Sequence, residues 1–197
     1  TLPKESKKII IENSNNIDLK DDLKSKYDNI EVIVSKNVGM GAGNNIGLNI
    51  CSTKYAYVIN PDVRLYNDTI DNLIENIKSL SDFALASPLN ANQNFPNYKN
   101  IISKINSNEN ILSVDTIDGF SMLFNLEKFK DKIFFDENYF LYLENDDLCF
   151  RIKKKNELIV IVTNSLIEHK GSISKNSNLE YLRNWHWMWS KFYFNKK

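Results

Sequence analysis

A chain of 197 residues with 42% hydrophobic and 25% charged residues has the balance of one globular domain with a real core. Lys plus Arg and Asp plus Glu are equal at 25 each, which excludes a global field that would select nucleic acid. The two cysteines, Cys51 and Cys149, give no disulfide framework, so a reducing cytoplasm is the expected compartment, and no apolar run reaches the length needed to span a bilayer.

In chain order, residues 7–12 (KKIIIE) form a short β-branched run closed by a turn of Asn and Ser, a buried strand. Residues 18–27 read as a weak polar helix and residues 30–34 as a second strand. A glycine-rich turn over 39–47 opens a helix that runs to about Cys51. Residues 55–59 are a third strand, stopped by Asn60-Pro61-Asp62. Over 69–80 the apolar positions Ile70, Leu73, Ile74, Ile77 and Leu80 make a helical stripe. Residues 83–87 and 120–124 are strands, and the asparagine-rich stretch 90–110 between them reads as a mobile excursion. Residues 157–163 are a strand with extended chain to His169, and 179–193 are a terminal helix. Strands alternating with helices predict a single α/β domain over 1–197 with a mainly parallel sheet and its ligand crevice at the carboxyl ends of the strands.

Four places carry residues suited to chemistry. Glu144, Asp146 and Asp147 follow the apolar run Phe140–Leu143. Clustered carboxylates entered from an apolar run fit a cleft where one of them acts as a base, but this segment alone fits better the acidic first turn of a helix reaching Lys155. Asp62, presented at the sheet rim by Pro61, suits a hard divalent cation completed by diphosphate oxygens, or a plain turn. Gly39–Gly47 lets backbone approach an anion, with Asn44 and Asn45 adding amides for sugar or phosphate, yet no register gives G-x-G-x-x-G, and a plain strand-to-helix turn explains it as well. His169, just after a strand, is a metal or phosphate contact or a surface histidine, whereas His186 is expected to pack within the terminal helix. In that helix (178–197), Leu179, Leu182, Trp185, Trp189 and Phe192 share one stripe expected to pack as core. Trp187 and Met188 lie off the stripe, and their exposure would point to an interfacial membrane contact or a partner surface.

Taken in order, IIIENSNN, NVGMGAGNNIGL, YAYVINPDVRL, DGFSMLFN, FDENYFLYLENDDLCFRI and IEHKGSIS resemble the motifs of the rhamnosyltransferase-like branch of the family 2 glycosyltransferases, which have the GT-A fold. The resemblance covers most of the chain. It implies a dTDP- or UDP-sugar donor, inverting transfer to a glycan or lipid-linked glycan, and a place in building a bacterial surface polysaccharide. It also implies that Asp62 and His169 contact Mg2+ or Mn2+ on the donor diphosphate. Glu12 and Asn13 would lie near the nucleoside, Gly43, Asn44, Asn45, Asn60 and Gly119 would line the sugar-nucleotide site, and the acidic segment would supply the base.

Three departures stand out. Glu12 replaces the usual Asp of the second-strand motif. Asn145 occupies the place of the usual base, and an amide cannot accept that proton, so Glu144 is the expected base, with Asp146 next. Asp147 fits better as a structural carboxylate paired with Arg151 one turn on. Nothing matches the family's opening strand and helix, so a longer protein is expected. The alternative is a catalytically silent domain that binds nucleotide sugar or a partner enzyme. An NAD-dependent oxidoreductase is disfavoured by the failed glycine pattern.

Overall fold

The structure, a computed structural model, describes residues 2, 5–80, 82–105, 109–169 and 177–197. Strands β1 (Lys8–Glu12) and β2 (Ile30–Val34) pair in parallel, joined by the polar helix α1 (Ile17–Lys26). Asn16 caps α1 by accepting a bond from the Leu19 N–H. Helix α2 (Met40–Ile50) leads to a second sheet of β3 (Tyr55–Ile59), β4 (Val63–Leu65), β5 (Leu85–Asn90), β6 (Tyr98–Lys104), β7 (Ile111–Ile117), β8 (Ser121–Asn125) and β9 (Ile159–His169). The remaining helices are α3 (Thr69–Lys78), α4 (Glu144–Lys154) and α5 (Ser177–Lys196). The larger sheet runs β3-β8-β5-β9-β7-β6, with β4 paired to β9. Among the described residues, β1 and β3 each pair on one side only.

The α/β class is as expected, but the sheet is mixed rather than mainly parallel. Among the described residues only β1–β2 and β5–β9 are parallel, and the other pairings are antiparallel. The expected excursion over 90–110 supplies β6, and β7 follows it. The two form an antiparallel hairpin whose outer strand is almost wholly exposed.

Strand β9 explains the core. Ile159 and Ile161 join a cluster with Phe124, Phe134, Phe135 and the α4 residues Leu148 and Ile152. Val160 and Val162, on the opposite pleat, join Leu73 and Ile77 of α3. Over 159–162 both faces of β9 are buried, so that run is continuously apolar rather than alternating.

The terminal helix corrects an expectation. Leu179, Leu182, Trp185, Trp189 and Phe192 do not form core, since all five are exposed. The packed face is instead His186, stacked on Phe140 at 4.5 Å, Tyr193 against Tyr139, Ser190 bonded to the Leu141 carbonyl, and Lys197 paired with Asp136 and Asp147. His186 packs as expected.

Candidate active site

The turn Asn60-Pro61-Asp62 reverses the chain after β3, and β4 returns along β9 with Val63 opposite His169. That register brings His169 Nε2 to 3.2 Å from Asp62 Oδ2. The Phe120 ring stacks on the imidazole with centroids 3.9 Å apart, and the Phe120 carbonyl accepts the Asn60 N–H. The NPD turn, the segment Asp118-Gly119-Phe120 and the end of β9 therefore meet at one rim of the sheet. Both side chains of the Asp62–His169 pair are partly open to solvent. A hard carboxylate oxygen beside an imidazole nitrogen suits a divalent ion. Among the described residues, no third His, Cys, Asp or Glu joins the pair, so the donor set fits an ion shared with ligand oxygens rather than a self-sufficient protein site.

The first turn of α4 forms the neighbouring wall. Tyr142 and Leu143 precede it with φ of 71° and 65°, a left-handed pair without glycine that costs about 1–3 kcal/mol per residue. This turn sets the direction in which the carboxylates leave the backbone. Asp146 receives the Lys99 ammonium of β6 at 2.7 Å. Glu144 points elsewhere: it is 3% exposed, its Oε2 has no hydrogen-bond partner among the described residues, and burial pushes its carboxyl up to about 7. Asp147 is buried between Arg151 and Lys197, the structural role expected of it. Asn145 donates to the Ile117 carbonyl and its Cβ lies against Gly119, where any added side chain would also meet Met40.

A model of the glycosyl transferase family 2 sequences matches residues 4–170. The chain belongs to that family. No curated protein matches it. Among solved structures it is similar to GalNAc-T7 with UDP, GalNAc and Mn2+, at a TM-score of 0.65 and 12% identity over 86% of this chain and 39% of that one. It is also similar to a mannosyltransferase from Pyrobaculum calidifontis in complex with GDP-Man and Mn2+, at a TM-score of 0.61 and 8% identity over 88% of this chain and 49% of that one. These likenesses show the GT-A fold, and the chain spans less than half the length of either protein.

The other residues expected to line the site divide into two groups. Asn44 Nδ2 is buried without a partner among the described residues, a donor available to a ligand. Asn60, Asp62, Gly119 and His169 stand at the rim described above. Glu12, Asn13 and Asn45 have side-chain groups engaged within the chain. The Glu12 carboxylate accepts from the Ser14 hydroxyl and the Ser14 and Asn16 N–H groups, and these bonds, led by the Ser14 hydroxyl, hold its pKa below the usual value. Asn13 donates to the Gly39 carbonyl and accepts from Ser35 and Val38, while Gly43 leaves room for its amide. Asn45 exchanges hydrogen bonds with Phe135 and donates to Glu137, tying α2 to the chain before α4. Gly171 and the serines after His169 lie outside the described residues.

Sequence reasoning missed Asp118, Lys99 and Phe120. Burial raises the Asp118 pKa, with Lys99, Asp146 and His169 near enough to act on it electrostatically. Its adjacency to Gly119 was the available signal, whereas Lys99 lay in a stretch read as loop. A cavity of about 770 Å³ lies at the opposite end of β3, between Lys54, Asp82, Asn125 and Glu157. Ion pairs Lys54–Glu127 and Lys128–Glu157 cross that crevice, and nothing there resembles the rim chemistry.

Proposed function

We propose that this chain transfers a hexose, with rhamnose one candidate, from a dTDP- or UDP-sugar to a glycan or lipid-linked glycan acceptor with inversion, in bacterial surface polysaccharide synthesis. The observation that carries the reading is the Asp62–His169 pair at the rim beside the acidic start of α4. Asp62 and His169 would hold Mg2+ or Mn2+, which when bound offsets charge on the leaving diphosphate. Asn60, Gly119 and the unpartnered amide of Asn44 flank the donor. Asp146 is the proposed base, because its carboxylate reaches the cleft while Glu144 is sealed beneath α2. The acceptor hydroxyl loses its proton to Asp146, its oxygen bonds to the anomeric carbon from the far face, and the bond from that carbon to the diphosphate breaks. Glu144 remains the second reading, favoured by a carboxyl poised near 7. Glu12, Asn13, Gly43 and Asn45 act by holding the walls. The proposed place of action is the cytoplasm, at a membrane that carries the acceptor, with α5 as the contact; no described helix is long and apolar enough to cross a membrane.

The test is transfer and donor hydrolysis across a panel of dTDP- and UDP-sugars with Mn2+, comparing Asp62→Ala, Asp146→Asn and Glu144→Gln. Loss in Asp62→Ala and Asp146→Asn with activity kept in Glu144→Gln is expected, and full activity of Asp62→Ala would remove the metal role. Asn145 favours one other reading, a catalytically silent domain, which nucleotide binding without turnover on any donor would support.

A further inference from the structure

Helix α5 has a second apolar face that the fold does not use. At 100° per residue, Met188, Tyr181, Phe192, Trp185, Trp189 and Leu182 fall within an arc of about 120°, while the packed residues His186, Ser190 and Tyr193 lie to one side of it. The six are between 44% and 73% exposed, a contiguous aromatic surface of the kind that marks an interaction site. Cations stand beside and within it: Lys191 lies over the Trp187 ring at 4.7 Å and Lys196 over the Phe192 ring at 4.8 Å. Over 177–196 the helix carries Arg183, Lys191 and Lys196 against the single acid Glu180, although the whole chain is neutral. We infer that this face of α5 seats the protein on an anionic lipid surface, its aromatic side chains at headgroup depth and its lysines on lipid phosphates.

Charge decides the occupant. A second copy of the chain packed on the same arc would gather two sets of Lys191 and Lys196 at one interface, with little acid from α5 to offset them. A bilayer bearing anionic headgroups satisfies the cations and accepts Trp and Tyr, whose rings are apolar and whose tips are polar. The contact also has an orienting consequence. Through Tyr193, Ser190 and Lys197, α5 is fastened to Tyr139, Leu141 and Asp147, the stretch that ends in the acidic turn of α4. Seating α5 therefore fixes the cleft relative to the membrane. The inference deepens the proposed lipid-linked acceptor and rests on that reading only for this orientation.

The experiment is vesicle co-sedimentation of the full chain, with tryptophan emission recorded in parallel, so it needs no turnover and stands even if the domain is silent. Phosphatidylcholine vesicles containing phosphatidylglycerol are expected to bind it and shift the emission to the blue, and rising salt weakens binding. Trp185→Ser/Met188→Ser/Phe192→Ser is expected to lower partitioning at least about tenfold. Lys191→Glu/Lys196→Glu is expected to abolish the preference for phosphatidylglycerol over phosphatidylcholine alone. If the triple variant does not fold, as judged by circular dichroism, the charge-reversal variant carries the test. No binding of the wild type to the phosphatidylglycerol vesicles, variants that bind as the wild type does, or a dimer that shields the tryptophans without lipid would each overturn the inference.

Discussion

Glu144 and Asp146 stand two residues apart on one helical turn and meet different surroundings. Glu144 is sealed under α2 and Asp146 faces a lysine across the cleft. The Glu144 carboxyl titrates near 7 in the folded chain against 4.5 as its ordinary value. Between those values the folded state binds more protons than the unfolded one, so stability falls as pH rises from about 4.5 to about 7 and is level above that. The loss is at most about 3 kcal/mol. Denaturant melts at pH 5 and pH 8 are expected to show that slope in the wild type and a flatter one in Glu144→Gln, and equal slopes would contradict it. Gly39 makes a second residue-scale case. Its φ is 92°, and an added Cβ would run into the Phe140 backbone. Gly39→Ala is expected to destabilise by about 2 kcal/mol or more, read by urea titration, because the strain of a positive φ with extended ψ and the clash add.

Among the elements, the β6–β7 hairpin is what supplies Lys99 to the site. Lys99→Ala is expected to lower kcat roughly tenfold with little change in KM, since it positions Asp146 rather than binding the donor. An unchanged kcat would show the ion pair to be a surface contact only. The hairpin was illegible in the sequence for a physical reason: β6 buries almost nothing, so it has no hydrophobic period to betray it. α3 was legible because Leu73 and Ile77 are fully buried on one stripe. α5 shows the limit of such stripes. Helical spacing says which residues share a face, but not whether the face meets protein, and here Trp185, Trp189 and Phe192 meet none of the core. The close approach of β4 to β9 was likewise hidden, since three residues of strand leave no pattern.

At the scale of the whole molecule, motif order revealed the family and the mixed sheet revealed how its motifs converge. The sequence placed Asp62 and His169 at strand ends, and the antiparallel β4–β9 register turns those two positions into neighbours 107 residues apart in the chain. Motif comparison could not separate residues with an open hydrogen-bonding group from those already engaged within the chain. Asn44 and Asn45 are adjacent in sequence, yet Asn44 Nδ2 has no partner among the described residues and the Asn45 amide is engaged with the chain before α4. The most direct test of the account is calorimetric titration of UDP and dTDP in the presence and absence of Mn2+, for the wild type, Asp62→Ala and His169→Ala. The account predicts Mn2+-dependent nucleotide binding in the wild type, weakened by about tenfold to a hundredfold or more in each variant. Binding in either variant that equals the wild type and still responds to Mn2+ would contradict it.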